Sequence, residues 1–206
     1  MPLAEHTGLI RALTRHVLRE AIGQCRVWHD QGLELAVSVN ITGRDLLDVN
    51  LPDEVAALLA DTRLEPRFLE LEITENTILA DPARARAILA RLSESGVRLA
   101  IDDFGSGNSS LGYLKRLPVD VLKIDKAFVL NMDTDEDDEI IVRSTIALSH
   151  NLGLAVVAEG VETKEAWEKL ARFGCDIGQG YYLSRPVPAD SLQLAADKAA
   201  TPAVPA

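Results

Sequence analysis

The sequence has 206 residues with 47% apolar content, which suits one globular domain but is short for a complete eight-stranded (β/α) barrel of about 250 residues. Its net charge of −11 argues against polymeric nucleic acid and anionic lipid as partners. No apolar stretch approaches the roughly 20 residues of a membrane helix, and no signal peptide opens the chain, so we expect a cytoplasmic protein without a membrane segment.

Amphipathic helices alternate with short apolar strands along the chain. Helices are predicted over 9–31, 52–62, 82–95, 109–116, 136–152 and 163–173, and strands over 33–39, 68–71, 97–101, 119–122, 154–158 and around 175–177. The predicted apolar face of the first helix consists of Leu9, Leu13, Val17, Leu18, Ala21, Ile22 and Cys25. Asp81 and Pro82 are typical of a helix N-cap followed by proline at the first helical position. The alternation predicts a parallel sheet covered by helices, either an open six-stranded sheet or a barrel whose first two strands are missing.

Polar side chains follow all six predicted strands, at the point where each apolar run ends. If the strands are parallel, these side chains project from one end of one sheet, where (β/α) barrels keep their chemistry. Clustered carboxylates repel one another unless they are protonated or bridged by cations, so the pattern predicts a divalent-cation site. The residues concerned are Asn40, Glu72, Glu75, Asp102, Asp103, Lys123, Asp125, Glu159, Glu162 and Gln179.

The adjacent carboxylates of Asp102 and Asp103 are the sharpest of these signals. One carboxylate can bridge two metal ions while its neighbour binds one, and oxygen ligands favour Mg²⁺ or Mn²⁺ over zinc. Cys25 and Cys175 are single and far apart, which excludes a cysteine zinc site and a disulfide framework. The Gly/Ser-rich segment that starts at Gly105 and Ser106 could close over a phosphate. The alternative is a strand-to-helix turn in which aspartate caps a helix.

Lys123 and Asp125 are two residues apart, so on a strand they face the same way. A lysine beside carboxylates keeps its charge and can orient a water or stabilise negative charge at phosphorus, and the alternative is a structural ion pair. Two further pairs of acids are spaced three apart, and each could offer one ligand and one residue that orients a loop. These pairs are Glu72 with Glu75 and Glu159 with Glu162, and the alternative for both is helix capping.

Seven segments together resemble the EAL-domain family of bacterial cyclic di-GMP phosphodiesterases. They are Pro2–Glu5, Ser38–Ile41, Glu70–Glu75, Asp102–Gly107, Lys123–Lys126, Ala158–Thr163 and Gly178–Tyr181. The resemblance covers residues 2 to 188 in the family's order and spacing. It implies an α/β fold, an EAL-type TIM-like barrel with six parallel strands remaining after loss of the first two, with the domain at 1–198. The tail 199–206, which contains Pro202 and Pro205, is predicted to be disordered.

The resemblance also implies a site that hydrolyses cyclic di-GMP to linear pGpG with two Mg²⁺ or Mn²⁺ ions. It assigns Asn40, Glu72 and Asp102 to one metal, and Asp102, Asp103 and Glu159 to the second. Lys123 would contact the attacking water with Asp125 beside it, and Glu75 would brace the loop 104–110. Glu162 and Gln179 would support the site, and Gln179, Gly105 and Ser106 would contact substrate.

The Glu-Ala-Leu triplet that names the family does not occur in this sequence. Its glutamate binds the first metal in the family, so the resemblance predicts impaired hydrolysis by this chain. The alternative is a catalytically inactive receptor for cyclic di-GMP, or a protein-interaction module. Two exposed sheet edges, or the loop 104–110, further predict a homodimer.

Overall fold

The computed structural model describes residues 9–105 and 111–192, which form two compact units. The first unit holds the described residues up to Lys123 together with Ser149–Ala155, and the second holds Ile124–Leu148 and the described residues from Val156 onward. Ser106 and the predicted tail 199–206 lie outside the described residues. Within the described ranges, no helix has the length and apolar character needed to cross a membrane.

Helices and strands alternate along the described chain. The helices are α1 Ile10–Asp30, α2 Leu51–Thr62, α3 Glu75–Ala80, α4 Pro82–Glu94, α5 Leu111–Leu114, α6 Lys126–Asn131, α7 Glu136–Asn151 and α8 Lys164–Phe173. The strands are β1 Val37–Asn40, β2 Leu69–Thr74, β3 Arg98–Phe104, β4 Val121–Ile124, β5 Ala155–Glu159 and β6 Ile177–Gln179, with short 3-10 turns at Pro66–Phe68 and Ala189–Ser191.

The strands form one sheet in the order β1-β2-β3-β4-β5-β6, so each strand is followed in space by the next strand in the chain. β1 pairs in parallel with β2, β2 with β3, and β5 with β6. Parallel neighbours require a crossover connection, and the intervening helices supply it. The prediction of an α/β fold with six parallel strands is confirmed.

Residue alternation along β2 separates the core from the polar face of the sheet. Leu69, Leu71 and Ile73 are fully buried, and Glu70 and Glu72 point to the opposite face. The apolar set packs under the helices of the first unit, where Ile22 of α1 and Leu89 of α4 are also fully buried. This arrangement fixes which face of the sheet carries the acids.

All six strands extend further at their carboxyl ends than their apolar runs predicted, and β2, β3 and β4 are examples. β2 continues through Glu72 to Thr74, β3 continues through Asp102 and Asp103 to Phe104, and β4 includes Lys123. These polar residues therefore lie inside the last residues of strands rather than after them. The prediction was wrong at these ends because backbone pairing continues where the side chains turn polar. β1 also starts four residues later than predicted, at Val37.

The buried face of α1 agrees with the predicted one only in part, since Leu18, Ile22 and Cys25 are buried as predicted. Leu9, Leu13 and Val17 are exposed, at 63%, 36% and 41%. The buried positions are Ile10, Thr14, Leu18, Ile22 and Cys25. These buried residues are mostly four apart in the sequence, and one of them, Thr14, is polar and therefore does not belong to an apolar pattern.

Helix ends follow the sequence signals closely. Asp81 caps α4 by accepting a hydrogen bond from the Arg84 backbone N–H. Glycines 32, 96, 153 and 174 follow helices with positive φ angles of 85°, 86°, 78° and 79°, the conformation that glycine adopts without a steric penalty. In the second unit, Lys169 of α8 donates to Glu139 at 2.8 Å and to the Met132 carbonyl oxygen at 2.9 Å, which ties α8 to the start of α7.

Candidate functional site

In the first unit, Glu72 and Asp102 contact Lys123, and Asn40 contacts Glu72. Lys123 Nζ lies 2.8 Å from Glu72 Oε1 and 3.3 Å from Asp102 Oδ1. The Asn40 side-chain amide donates to Glu72 Oε2 at 3.0 Å. The register accounts for this meeting, since Asn40 pairs with Glu72 across β1 and β2, and Thr74 pairs with Asp102 across β2 and β3. The predicted convergence of Asn40, Glu72, Asp102 and Lys123 is therefore observed.

This group is shielded from solvent. The side chains of Lys123, Glu72 and Asp102 are 4%, 8% and 12% exposed. An ammonium between two carboxylates offsets charges that would be expensive to bury alone. Among the described residues, every buried side-chain nitrogen or oxygen has a hydrogen-bond partner. The group is therefore a preorganised set of charged and oxygen-rich side chains.

Asp103 departs from ordinary strand geometry. Its φ is 54°, in the left-handed region that non-glycine residues seldom adopt, and its N–H donates to Asp102 Oδ1 at 3.1 Å. The reversal turns Asp103 into solvent while Asp102 stays buried. Gly105 follows with a φ of 98°, which glycine tolerates. Backbone strain of this kind concentrates at functional sites.

Glu75 begins α3 directly after β2 and is buried. The preceding Thr74 hydroxyl lies 2.9 Å from the Thr77 hydroxyl, which fixes the turn from strand to helix. The described residues thus place Glu75 at the same strand end as Asp102, consistent with the role expected for it. Its predicted contact, the loop 104–110, extends beyond the described residues.

The second unit carries the other predicted site residues at its own strand ends. Glu159 and Gln179 are the last residues of β5 and β6, and they pair in register. Gln179 is exposed, and its carbonyl oxygen accepts from the Val161 N–H at 3.0 Å. A side chain at Gly180 would collide with the Val161 backbone, so only glycine permits this close approach. Glu162 lies in the exposed loop between β5 and α8.

Asp125 has a structural role in addition to the one predicted for it. Its carboxylate accepts a hydrogen bond from the Ala127 N–H at 2.9 Å and caps α6. The helix-cap alternative considered for other acids of this pattern therefore applies to Asp125. A catalytic role for Asp125 beside Lys123 stays a prediction.

One acid on the same face as Glu72 was missed by the sequence analysis. Glu70 accepts from the Ser38 hydroxyl at 3.2 Å and lies 3.7 Å from Arg98 Nε, on the residues that flank it in register. Burial raises the pKa of Glu70 above its ordinary value, and Arg98 opposes that shift. The two-residue spacing of Glu70 and Glu72 is the signal that could have revealed this second polar layer.

Replacing Glu70 by glutamine is expected to stabilise the chain more at pH 7 than at pH 4. A carboxyl group whose pKa is raised in the folded state does not destabilise that state below its ordinary pKa of about 4.3. The stability of the folded protein falls as the pH rises through the folded-state pKa. Urea unfolding of wild type and E70Q at both pH values measures the difference. E65Q is the matched control because Glu65 is 66% exposed. Equal gains for E70Q at the two pH values would contradict a raised pKa.

The fold and the strand-end acids define a class, namely parallel α/β proteins with an oxygen-rich site at the carboxyl ends of the strands. The sequence model of the EAL domain family matches residues 1–186, and the chain belongs to that family. The predicted EAL-type TIM-like fold is thereby confirmed.

Named relatives support the same assignment. The chain is 46% identical to the bifunctional diguanylate cyclase/cyclic di-GMP phosphodiesterase MucR of Pseudomonas aeruginosa, over 93% of this chain and 28% of MucR. It is 43% identical to the cyclic di-GMP phosphodiesterase NbdA of the same organism, over 93% of this chain and 24% of NbdA. A solved structure of the PaMucR phosphodiesterase in complex with c-di-GMP matches with a TM-score of 0.89 and 46% identity, covering 93% of this chain and 78% of that one. The chain therefore spans about a quarter of the length of these two curated relatives.

Proposed function

We propose that the chain hydrolyses one phosphodiester bond of cyclic di-GMP to give linear pGpG, with Mg²⁺ or Mn²⁺ as cofactor. The observation that carries this proposal is Lys123 held between the carboxylates of Glu72 and Asp102, with Asn40 bound to Glu72. The names of MucR and NbdA, and the c-di-GMP complex of PaMucR, support the choice of substrate.

The donor set fits a hard divalent cation. Carboxylate and amide oxygens are the ligands that Mg²⁺ and Mn²⁺ prefer, and the first unit offers them on three neighbouring strands. We assign Asn40, Glu72 and Asp102 to one ion, and Asp102, Asp103 and Glu159 to the other. When bound, two such ions neutralise charge on the phosphoryl group and activate water.

The chain's own residues orient the reactants. Hydrolysis joins the water oxygen to phosphorus and breaks the bond from phosphorus to the 3′ oxygen, which takes up a proton. Lys123 donates a hydrogen bond toward the attacking water, and its positive charge favours the negative charge that develops at phosphorus. Asp125 lies two residues after Lys123 in the sequence and assists it in this proposal.

The remaining assigned residues position the site or the substrate. Glu75 braces the loop 104–110, and Glu162 supports the loop that follows β5. Gln179, Gly105 and Ser106 contact the dinucleotide. The proposed compartment is the cytoplasm, because the two free cysteines, Cys25 and Cys175, suit a reducing environment.

Hydrolysis is tested by incubating the 206-residue chain with cyclic di-GMP and either Mg²⁺ or Mn²⁺, and by separating the products by chromatography. We expect slow, metal-dependent pGpG formation, because the sequence contains no Glu-Ala-Leu glutamate. E72A and K123A should each lower the rate at least 100-fold, since each removes a group of the proposed reaction centre. E168A is the control, because Glu168 is half exposed and pairs with Lys164 on the surface of α8. Wild-type rates in E72A would contradict the metal assignment.

A catalytically inactive receptor is the second candidate, and the missing Glu-Ala-Leu triplet favours it. Calorimetric titration with cyclic di-GMP separates the two functions. Binding without pGpG formation under either metal would support the receptor or a protein-interaction module. Binding with turnover that depends on Lys123 would support the enzyme.

We further propose that a second copy of the chain pairs with the exposed sheet edges or with the loop 104–110. β1 and β6 each have one strand neighbour within the described part of the sheet, and open edges promote pairing. Sedimentation should show a dimer, and I177K should shift it toward monomer because Ile177 on β6 is 47% exposed. V27K is the matched control, since Val27 is 46% exposed but lies on α1. A monomeric wild type at all concentrations would contradict this pairing.

A further inference from the structure

A buried aspartate lies in the loop that follows β1. Asp45 is 3% exposed, and its Oδ2 atom accepts hydrogen bonds from the Thr42 N–H at 2.8 Å and the Thr42 hydroxyl at 2.7 Å. The Thr14 hydroxyl of α1 lies 3.0 Å from the same oxygen. One carboxylate oxygen therefore joins the start of this loop to a helix 31 residues away in the chain.

The start of this loop is also held in place by Glu72, a residue of the proposed metal site. Asn40 donates to the Glu72 carboxylate, and the next N–H, that of Ile41, donates to the Glu72 carbonyl oxygen at 2.9 Å. Ile41 itself is 4% exposed. The segment between Asn40 and Asp45 is thus fixed by Glu72 at one end and by Asp45 at the other.

An ordinary loop turn would need only the contacts between Asp45 and Thr42. The additional contact is to a second buried polar group, the hydroxyl of Thr14, which is 5% exposed on the core face of α1 and also lies 3.1 Å from the Ile10 carbonyl oxygen. Burying a carboxylate and a hydroxyl is unfavourable unless both are hydrogen-bonded. The pair is therefore suited to setting the position of the chain where it leaves β1.

We propose that Asp45 is a positioning residue for Asn40, and that Thr14 anchors Asp45 to α1. This inference rests on the proposed function, in which Asn40 is a metal ligand. Partners behind a metal ligand fix its orientation, and their loss commonly weakens metal affinity 10–100-fold. The sequence shows the Thr-x-x-Asp spacing of Thr42 and Asp45, and the structure adds Thr14 on the buried face of the first helix.

The test is the affinity of the 206-residue chain for Mn²⁺, measured by electron paramagnetic resonance, which reports free and bound ion separately. D45A is expected to bind Mn²⁺ about 10-fold more weakly than wild type. The matched control is D120A, since Asp120 also accepts a backbone N–H, that of Leu99 at 2.9 Å, but at the amino ends of β3 and β4. D120A should lose stability in urea and keep wild-type Mn²⁺ affinity.

A second pair of variants applies if D45A does not fold, and it removes no charge. T14V deletes the hydroxyl and should weaken Mn²⁺ binding, and T14S keeps the hydroxyl and should restore it. Wild-type Mn²⁺ affinity in D45A or T14V overturns the inference. N40A separates the positioning role of Asp45 from the metal assignment of Asn40. Weaker binding in N40A with unchanged binding in D45A overturns the role of Asp45 alone, and unchanged binding in N40A overturns the metal assignment together with it.

Discussion

Replacing Lys123 by methionine is expected to destabilise the metal-free chain by about 3–5 kcal/mol. The ammonium group lies 2.8 Å from Glu72 and 3.3 Å from Asp102, and all three side chains are nearly buried. Methionine preserves most of the volume but leaves two carboxylates close together without a cation. The cost comes mainly from that uncompensated buried charge, because an intact buried pair itself adds little net stability.

Urea unfolding in EDTA measures the loss, and repetition with Mg²⁺ or Mn²⁺ tests its origin. A divalent cation should stabilise K123M more than wild type, because it replaces the missing positive charge. K164M is the control, since Lys164 is 67% exposed in a surface pair with Glu168 and should change stability by less than about 0.5 kcal/mol. A K123M chain as stable as wild type in EDTA would show that the ammonium does not offset the two carboxylates.

The polar residues at the strand ends were predictable because parallel strands align their carboxyl ends. Asn40, Glu72, Asp102 and Lys123 came together as expected, since each strand ends in the same direction and the order in the sheet follows the chain. Glycines after helices and the Asp81 cap were equally readable, because each depends on a local conformation that few residues adopt. Local chemistry and strand direction thus carried most of the prediction.

The errors lie where tertiary contacts override the local pattern. Helices α3 and α6 were not predicted. Each has only six residues, which is too few for helical periodicity to show, and packing rather than propensity stabilises helices of that length. The buried face of α1 was predicted only in part, because Thr14 occupies a core position through its contact with Asp45. No single-sequence pattern reports a contact between residues 31 positions apart.

Polar residues that support the site were the hardest to predict. Glu70 and Asp45 are acids within otherwise ordinary segments, and their partners come from other elements of the first unit. Their importance becomes visible only when register and loop geometry place Ser38 and Arg98 beside one and Thr14 beside the other. A motif search recovers residues that share a strand end, and it misses those that hold them in place.

Replacing Asp102 by asparagine is expected to abolish most of the stabilisation that Mg²⁺ or Mn²⁺ gives the chain. Asp102 is the residue assigned to both metal ions, and asparagine keeps its shape while removing the charge. A ligand at 100 times its dissociation constant stabilises a folded protein by about 2.7 kcal/mol, which for a chain of this size raises the melting temperature by roughly 5–10 °C. D102N should retain less than about 2 °C of that rise, since neither ion keeps its shared ligand.

Thermal unfolding in EDTA and in saturating Mg²⁺ or Mn²⁺ gives the two melting temperatures whose difference matters. The comparison uses the difference for each variant, so any change in metal-free stability from the lost pairing with Lys123 cancels. D53N is the matched control, because Asp53 is 73% exposed and pairs with Arg91 at the surface of α2, where its loss should leave the metal response intact. A full metal-induced rise in D102N would exclude a bridging role for Asp102. It would leave Asn40 with Glu72, and Asp103 with Glu159, as two separate ligand sets to be tested one at a time.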